Sequence, residues 1–525
     1  MESCTHCGHV DEARHIDPPR LCETSSTDPC ALCGEVGHLN IKITQEEETL
    51  QYLLHQREKM MLEYNRAHPS IFDRLPVEAI SAVFSYYVST FSGGQELPFV
   101  LGAVSRKWRQ IAWATSGVWS SFIVDVRKYA SYMSQTRLQL AKDWLSRSGR
   151  LPLSITVQVE DSFKNSTLWL SEFHPLIDAI SQYSNRWHRL HLKLPSALIG
   201  RFNFSNIQYL HEINLYSLDG DDLTFHALFQ NLPRIVKTRY LDLNPRYLNW
   251  QHVTRFTARL LPVHHVLEIL RLGHNLRECV FQSVFIRRVD LPNDAYYPVT
   301  NSWLESLEIN LEFDDFEGRF FNNVTLPYLY HLSVYSLRAR LYPNPLISFL
   351  IRSRSGLRSL EFFEEDFTPQ DSIRILQATP HLEKLKIPNA FAIRSQHPFY
   401  CSLSNHLPAH DNLVPSFVEP LLLSLRIFDW TGRGLFHWEA IPRFLVPLSH
   451  YNHPRRRPLE IVKIFCECEE DDPVPYIGED ILWQLSHFID HVQFQFEVKV
   501  GNSPVGDLWK MSLEKIYEQK RLKLT

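Results

Sequence analysis

The sequence predicts an irregular α/β solenoid, preceded by a small all-α module and a short cysteine-rich leader. Three observations predict it. A self-similar apolar unit recurs through the last two thirds of the chain, two amphipathic helical stretches precede it, and five of the nine cysteines fall within the first 33 residues. These features divide the chain into a leader (1–43), a helix (44–68), a helical module (69–123), a helical linker with the first solenoid elements (124–185) and the solenoid proper (186–525).

Composition narrows the function classes before any motif is read. At 525 residues the chain is too long for one ordinary domain, and 44% hydrophobic with 22% charged residues allows most of it to bury a core. The net charge of -5 is no footprint of a nucleic-acid or anionic-membrane binder, so neither partner is expected. Only 18 glycines accompany 31 prolines, which is poor in the phosphate-cradling loops of nucleotide enzymes. The first twenty residues lack a basic stretch followed by an apolar one, and no 18-residue apolar run occurs. The expected location is therefore the cytoplasm or nucleus, where thiols stay reduced and clustered cysteines read as metal ligands rather than disulfides.

The leader carries two C-x-x-C-G elements, Cys4 to Gly8 and Cys30 to Gly34. Two thiolates three positions apart reach one tetrahedral zinc, and the following glycine permits a tight backbone turn. Cys4, Cys7, Cys30 and Cys33 are the expected ligands of this knuckle, with Cys22, His6, His9 and His38 as alternates. The zinc is expected to be structural, since nothing nearby resembles a general base for a bound water.

From Thr44 the chain reads as one helix, with Thr44 as its N-cap, Glu46 to Glu48 in its first turn and Pro69 beyond its end. Leu50, Leu54, Met61 and Tyr64 lie on a heptad seam that Arg57 interrupts. Two to three heptads are few for a coiled coil, so a helix packed on its neighbour is the expectation. Next, Asp73 caps a helix with Pro76 in its first turn, followed by Ile80, Val83 and Phe84 at helical spacing. A second stripe carries Val100, Leu101, Val104, Trp108, Ile111 and Ala112. Three short helices with such stripes expose more apolar surface than they can bury among themselves, which points to a docking partner.

The order Leu75-Pro76-x-Glu78, Val83-Phe84, then Val104-Ser-Arg-Lys-Trp108-Arg-x-Ile111-Ala112 and Val118-Trp119 resembles the F-box, and the wider segment of about residues 70 to 195 resembles F-box proteins expanded in basidiomycete fungi. The resemblance implies a three-helix module that binds the Skp-type adaptor of cullin-RING ubiquitin ligases. It implies that Leu75 and Pro76 open the adaptor contact, and that Ile80, Phe84, Val104 and Trp108 pack the core or face the adaptor. The chain departs from the family in reading V-S-R-K-W where V-C-x-x-W is common, and in the insertion from Val88 to Glu96.

Beyond the module, the unit hydrophobic-x-x-hydrophobic-x-hydrophobic occurs at Trp187/Leu190/Leu192, Leu210/Ile213/Leu215, Leu276/Cys279/Phe281, Leu304/Leu307/Ile309, Leu329/Leu332/Val334, Leu357/Leu360/Phe362 and Leu382/Leu385/Ile387. Weaker copies are Leu241/Leu243, Leu422/Leu425/Ile427, Leu459/Val462/Ile464 and Ile489/Val492/Phe494. The spacing is that of leucine-rich repeats, and an irregular horseshoe follows: one strand per unit, then a return segment such as the helix at 369–378. Steps of about 40 residues near 238–276 and 382–422 break the period, and the segment 389–412 is expected to protrude. Residues between the apolar positions form a row on the open face. Its members include Arg189, His191, Lys193, Glu212, Asn214 and Asp242, and the expected target-binding set is Glu308, Asn310, Ser333, Tyr335, Glu361, Lys384 and Lys386.

No serine-hydrolase elbow, zincin helix or nucleotide-binding glycine loop occurs. His264-His265 and Cys466-x-Cys468 have ligand chemistry but are read as ordinary surface or core residues. The chain is thus expected to be a non-catalytic receptor that holds a target protein near a ligase, the alternative being an interaction scaffold that assembles no ligase.

Overall fold

The computed structural model describes residues 31–67, 71–90, 97–126, 135–160, 170–219, 232–241, 243–286, 297–312, 318–336, 341–362, 367–391, 421–433, 436–445 and 458–524. They divide into two compact units, Met1–Tyr86 and Tyr87–Thr525.

In the first unit the dominant element is α1, Ala31–Ala67, a helix of 37 residues. It starts thirteen residues before the expected cap. Thr44 therefore lies inside it, its hydroxyl donating back to the Asn40 carbonyl at 3.0 Å. Gly34 sits within the helix rather than in a tight turn. Gly34 and Gly37 each cost this helix roughly 1 kcal/mol relative to alanine. Every α1 side chain that is described is exposed, so the expected packing on a neighbour is not what the helix shows. The short α2, Ile71–Arg74, and the start of α3, Val77–Thr90, follow. On α3, Ile80, Phe84 and Val88 form one buried stripe at four-residue spacing.

The second unit opens with α4, Leu97–Val104, and α5, Arg106–Ala114. Ser105 is extended and its hydroxyl accepts the Trp108 amide at 3.1 Å, which starts α5 immediately after α4. Gly102 permits close packing, because a Cβ there would sit 2.2 Å from the Trp113 ring. The chain then enters the sheet through β1, Ser121–Val126, with α6, Gln135–Arg147, as its first return helix.

Fifteen strands form one sheet in strictly sequential order, giving an α/β solenoid-like arrangement. After β1 come β2 (Leu153–Val159), β3 (Trp187–Leu194), β4 (Glu212–Ser217), β5 (Ile235–Arg239), β6 (Arg255–Pro262), β7 (Glu278–Phe285), β9 (Ser306–Leu311), β11 (His331–Tyr335), β12 (Ser359–Phe362), β13 (Lys384–Phe391), β14 (Ile427–Arg433), β15 (Ile461–Cys468) and β16 (Gln493–Val500). All of these neighbours pair in parallel. The terminal β17, Gly506–Asp507, pairs antiparallel and closes part of the last edge. Two short strands, β8 (Val299–Thr300) and β10 (Val324–Thr325), pair separately.

Period-two alternation builds the core. Along β2 and β15 every second residue is buried, and the inward rows stack Leu190, Ile213, Val236, Phe256, Cys279, Leu307, Leu332, Leu360 and Leu385 in register. Each such burial contributes about 1.5–3 kcal/mol for the larger side chains. Return helices cover this face, and that at Pro369–Gln377 starts with a reciprocal cap between Thr368 and Asp371. Buried Asn301 ties one repeat to the next. Its amide donates to the carbonyls of Leu270 (2.9 Å) and Gly273 (3.0 Å), while its oxygen accepts the amides of Trp303 and Leu304 at 3.0 Å.

Several repeat assignments need correction. Leu241/Leu243 is no strand. The long step expected there instead holds β5 and β6, whose inward residues Thr238 and Ala258 are too polar or too small to register as apolar repeat positions. In β14 the inward residues are Phe428 and Trp430, not Ile427, and in β16 they are Phe496 and Val498, while Ile489 is exposed. Cys466 and Cys468 both face inward as small buried apolar groups, and burial pushes the Cys466 thiol up to about 12. Residues 392–420, which include most of the expected protruding segment, lie outside the described residues.

Candidate protein-interaction site

Parallel register lines up the outward side chains of successive strands in rows. One row runs His191, Asn214, Lys237, Thr257, Val280, Glu308, Ser333, Glu361, Lys386, Asp429 and Lys463. The expected target-binding residues Glu308, Ser333, Glu361 and Lys386 thus become immediate neighbours. Asn310 pairs with Tyr335 one row above, and Lys384 lies one row below.

At the centre of this set, Glu361 accepts an ion pair from Lys386 at 2.7 Å with both side chains largely covered. Tyr335 reaches Glu361 with its phenol, and burial pushes that phenol well above its ordinary range. Ser333 is buried between the two flanking carboxylates, small enough to let them lean together. Burial, and then the charge of Glu361, hold the Glu308 carboxyl above the ordinary glutamate value, with Lys386 opposing.

The larger feature is a charge division along the sheet. Strands β3 to β6 present six cations on this face, Arg189, Lys193, Lys237, Arg239, Arg255 and Arg259, against one carboxylate, Glu212. Strands β7 to β12 present Glu278, Glu308 and Glu361 there and no lysine or arginine among the described residues. Burial would raise the Glu212 carboxyl, but the hydrogen bond and charge of Lys237 at 2.8 Å outweigh it and hold it low. Arg255 pairs with Glu278 at 3.0 Å where the two halves meet.

The cationic half is also aromatic. Lys193 lies 5.3 Å over the Tyr216 ring, Tyr216 meets Tyr240 at 5.5 Å, and Arg259 lies 5.3 Å over Tyr240. Tyr240 is placed by a left-handed backbone, φ 57°, and Leu260 and Ser283 on the next two strands share that conformation at φ 64°. Arg239, Arg259 and Gln282 are register partners, so these three residues follow at one height across adjacent strands. Such backbones cost about 1–3 kcal/mol each in non-glycine residues and concentrate where geometry serves a site. Sequence reasoning missed Lys237, Arg239, Tyr240, Arg255 and Arg259, because β5 and β6 went unread. The triplet Val253/Phe256/Ala258 was the available signal.

The residues expected in the helical module fall in both units. Ile80 and Phe84 are buried, which is the core-packing alternative of the two roles expected for them. Leu75 and Pro76 are exposed in the first unit. In the second unit Val104 is 58% exposed, Val100 is exposed one turn before it, and Trp108 is half-buried. Cys4, Cys7, Cys22, Cys30, His6 and His9 lie outside the described residues; Cys33 falls in α1 and His38 is exposed there. Among the described residues no three histidine, cysteine or acidic side chains gather as a metal site, and no helix is long and apolar enough to cross a membrane. Compared with protein-family models and with curated proteins, the sequence matches none.

Proposed function

We propose that the chain is the substrate receptor of a Skp-cullin-F-box ubiquitin ligase. The F-box-like module docks a Skp-type adaptor and through it cullin, and a leucine-rich-repeat-like solenoid holds the target protein. The observation that carries this reading is the exposure of Val100 and Val104 one turn apart on α4, while the opposite side of α4 packs Phe99 and Gly102 on tryptophans. An apolar helix face of this kind is suited to a partner helix. The divided, aromatic-bearing sheet face favours a folded or extended protein segment with the complementary charge order.

In this reading the chain performs no chemistry. It raises the effective concentration of target lysines beside the conjugating enzyme, in the cytoplasm or nucleus. The two C-x-x-C-G elements are proposed to hold one structural zinc, on the chemistry of their donors alone; metal analysis of the full chain that finds no zinc overturns this part.

Co-purification of the full chain with a Skp-type adaptor tests the proposal. Wild type retains the adaptor, and a Leu75→Ala, Pro76→Ala variant of unchanged circular dichroism retains much less. A folded wild type that retains none overturns the receptor reading in favour of a scaffold that assembles no ligase.

A further inference from the structure

The full extent of α1 shows a second heptad frame, which shares Leu50, Arg57 and Tyr64 with the seam of its second half and takes Leu53 and Met60 in place of Leu54 and Met61. Positions four and three residues apart run from Val36 through Leu39, Ile43, Glu46, Leu50, Leu53, Arg57, Met60 and Tyr64 to Ala67 without a break. That is more than four heptads on a helix about 55 Å long. The described seam side chains are exposed, so this apolar stripe lies open along the whole helix.

Two charges interrupt the seam, Glu46 and Arg57. They are eleven residues apart, about 16 Å along the axis, so they cannot reach each other within one helix. Among the described residues neither has an ion-pair partner. A buried seam with one uncompensated acid and one uncompensated base is costly unless the partner supplies both opposites.

We propose that α1 pairs with α1 of a second copy in an antiparallel two-helix coiled coil. Reversing the helix about the point between Gln51 and Tyr52 places Glu46 opposite Arg57 of the other copy, twice by symmetry. The same reversal sets Leu50 against Leu53, Ile43 against Met60, Leu39 against Tyr64 and Val36 against Ala67. All five layers join an a position to a d position, as antiparallel packing requires. A parallel pair would set Arg57 against Arg57 and Glu46 against Glu46, so the same two residues that complete the antiparallel seam exclude the parallel one. The occupant of this face is therefore another copy of the chain. The inference is independent of any role in a ligase.

Sedimentation equilibrium on the full chain tests it with three variants. Wild type is a dimer. Glu46→Arg and Arg57→Glu, each creating two like-charge layers, raise the dissociation constant about tenfold or more. The double exchange Glu46→Arg, Arg57→Glu restores the opposite-charge layers and returns it to near the wild-type value. Far-UV circular dichroism confirms that all three variants keep the helix. A monomeric wild type overturns the proposal. So does a dimer indifferent to the single substitutions, which places the contact elsewhere or makes it parallel, and so does an exchange variant as weak as the singles.

Discussion

Trp119 meets Trp144 edge to face, with ring centroids 5.0 Å apart and planes at 84°. The first ends the helical module and the second lies on the first return helix of the solenoid, so one aromatic contact joins them. Phe99 touches both rings at 6.1 and 5.8 Å, and the Arg147 guanidinium lies 5.0 Å over Trp119. The Trp119 indole also donates to the Ala112 carbonyl at 2.8 Å, which anchors the end of α5. In this way α4 and α5 are held on the sheet as one body, which the proposed receptor role requires if a target is to be presented in a fixed direction.

Trp144→Ala should therefore cost about 3–5 kcal/mol, the range for deleting a buried aromatic. Urea unfolding reads the loss as a lower midpoint. A loss below about 1 kcal/mol would mean that the module and the first repeat are not coupled through this ring.

Asn301→Ala should cost about 3 kcal/mol or more, because it strands the buried Leu304 amide and the Leu270 carbonyl without partners. Asn301→Asp should be destabilising as well, since a carboxylate cannot donate to the two carbonyls it would face. Thermal denaturation of both variants checks the pair, and a neutral alanine variant would remove Asn301 from its bridging role.

The Glu308 carboxyl is raised by burial and by Glu361. A raised folded-state value means the native state holds its proton more tightly. The stability tied to that proton is present below the ordinary glutamate range and is lost as pH rises through the raised value. Glu308→Gln should therefore raise the melting temperature at neutral pH, and the gain should vanish in acid below that range. A gain that persists unchanged at low pH would assign the effect to packing instead.

The solenoid was legible in the sequence wherever its inward positions are large and apolar. Leu307 with Ile309, and Leu360 with Phe362, announce their strands through a spacing that parallel stacking imposes. It was illegible at Thr238 and Ala258, where the sheet buries a hydroxyl and a methyl, and the cationic half of the open face was lost with those strands. The left-handed backbones of Tyr240, Leu260 and Ser283 carry no glycine or asparagine to signal them. The start of α1 was misplaced because Thr44 has the chemistry of a cap, while in the structure its hydroxyl donates back to the Asn40 carbonyl inside a helix that begins at Ala31.

The most direct test of the receptor account is calorimetric titration of the folded full chain with a Skp-type adaptor, comparing wild type, Val104→Asp and a sheet variant, Lys237→Glu with Arg239→Glu. The account predicts saturable binding by wild type, binding weakened at least about tenfold by a charge on the exposed face of α4, and no change in the sheet variant. Binding lost in the sheet variant and kept in Val104→Asp, or no binding by a folded wild type, would contradict it.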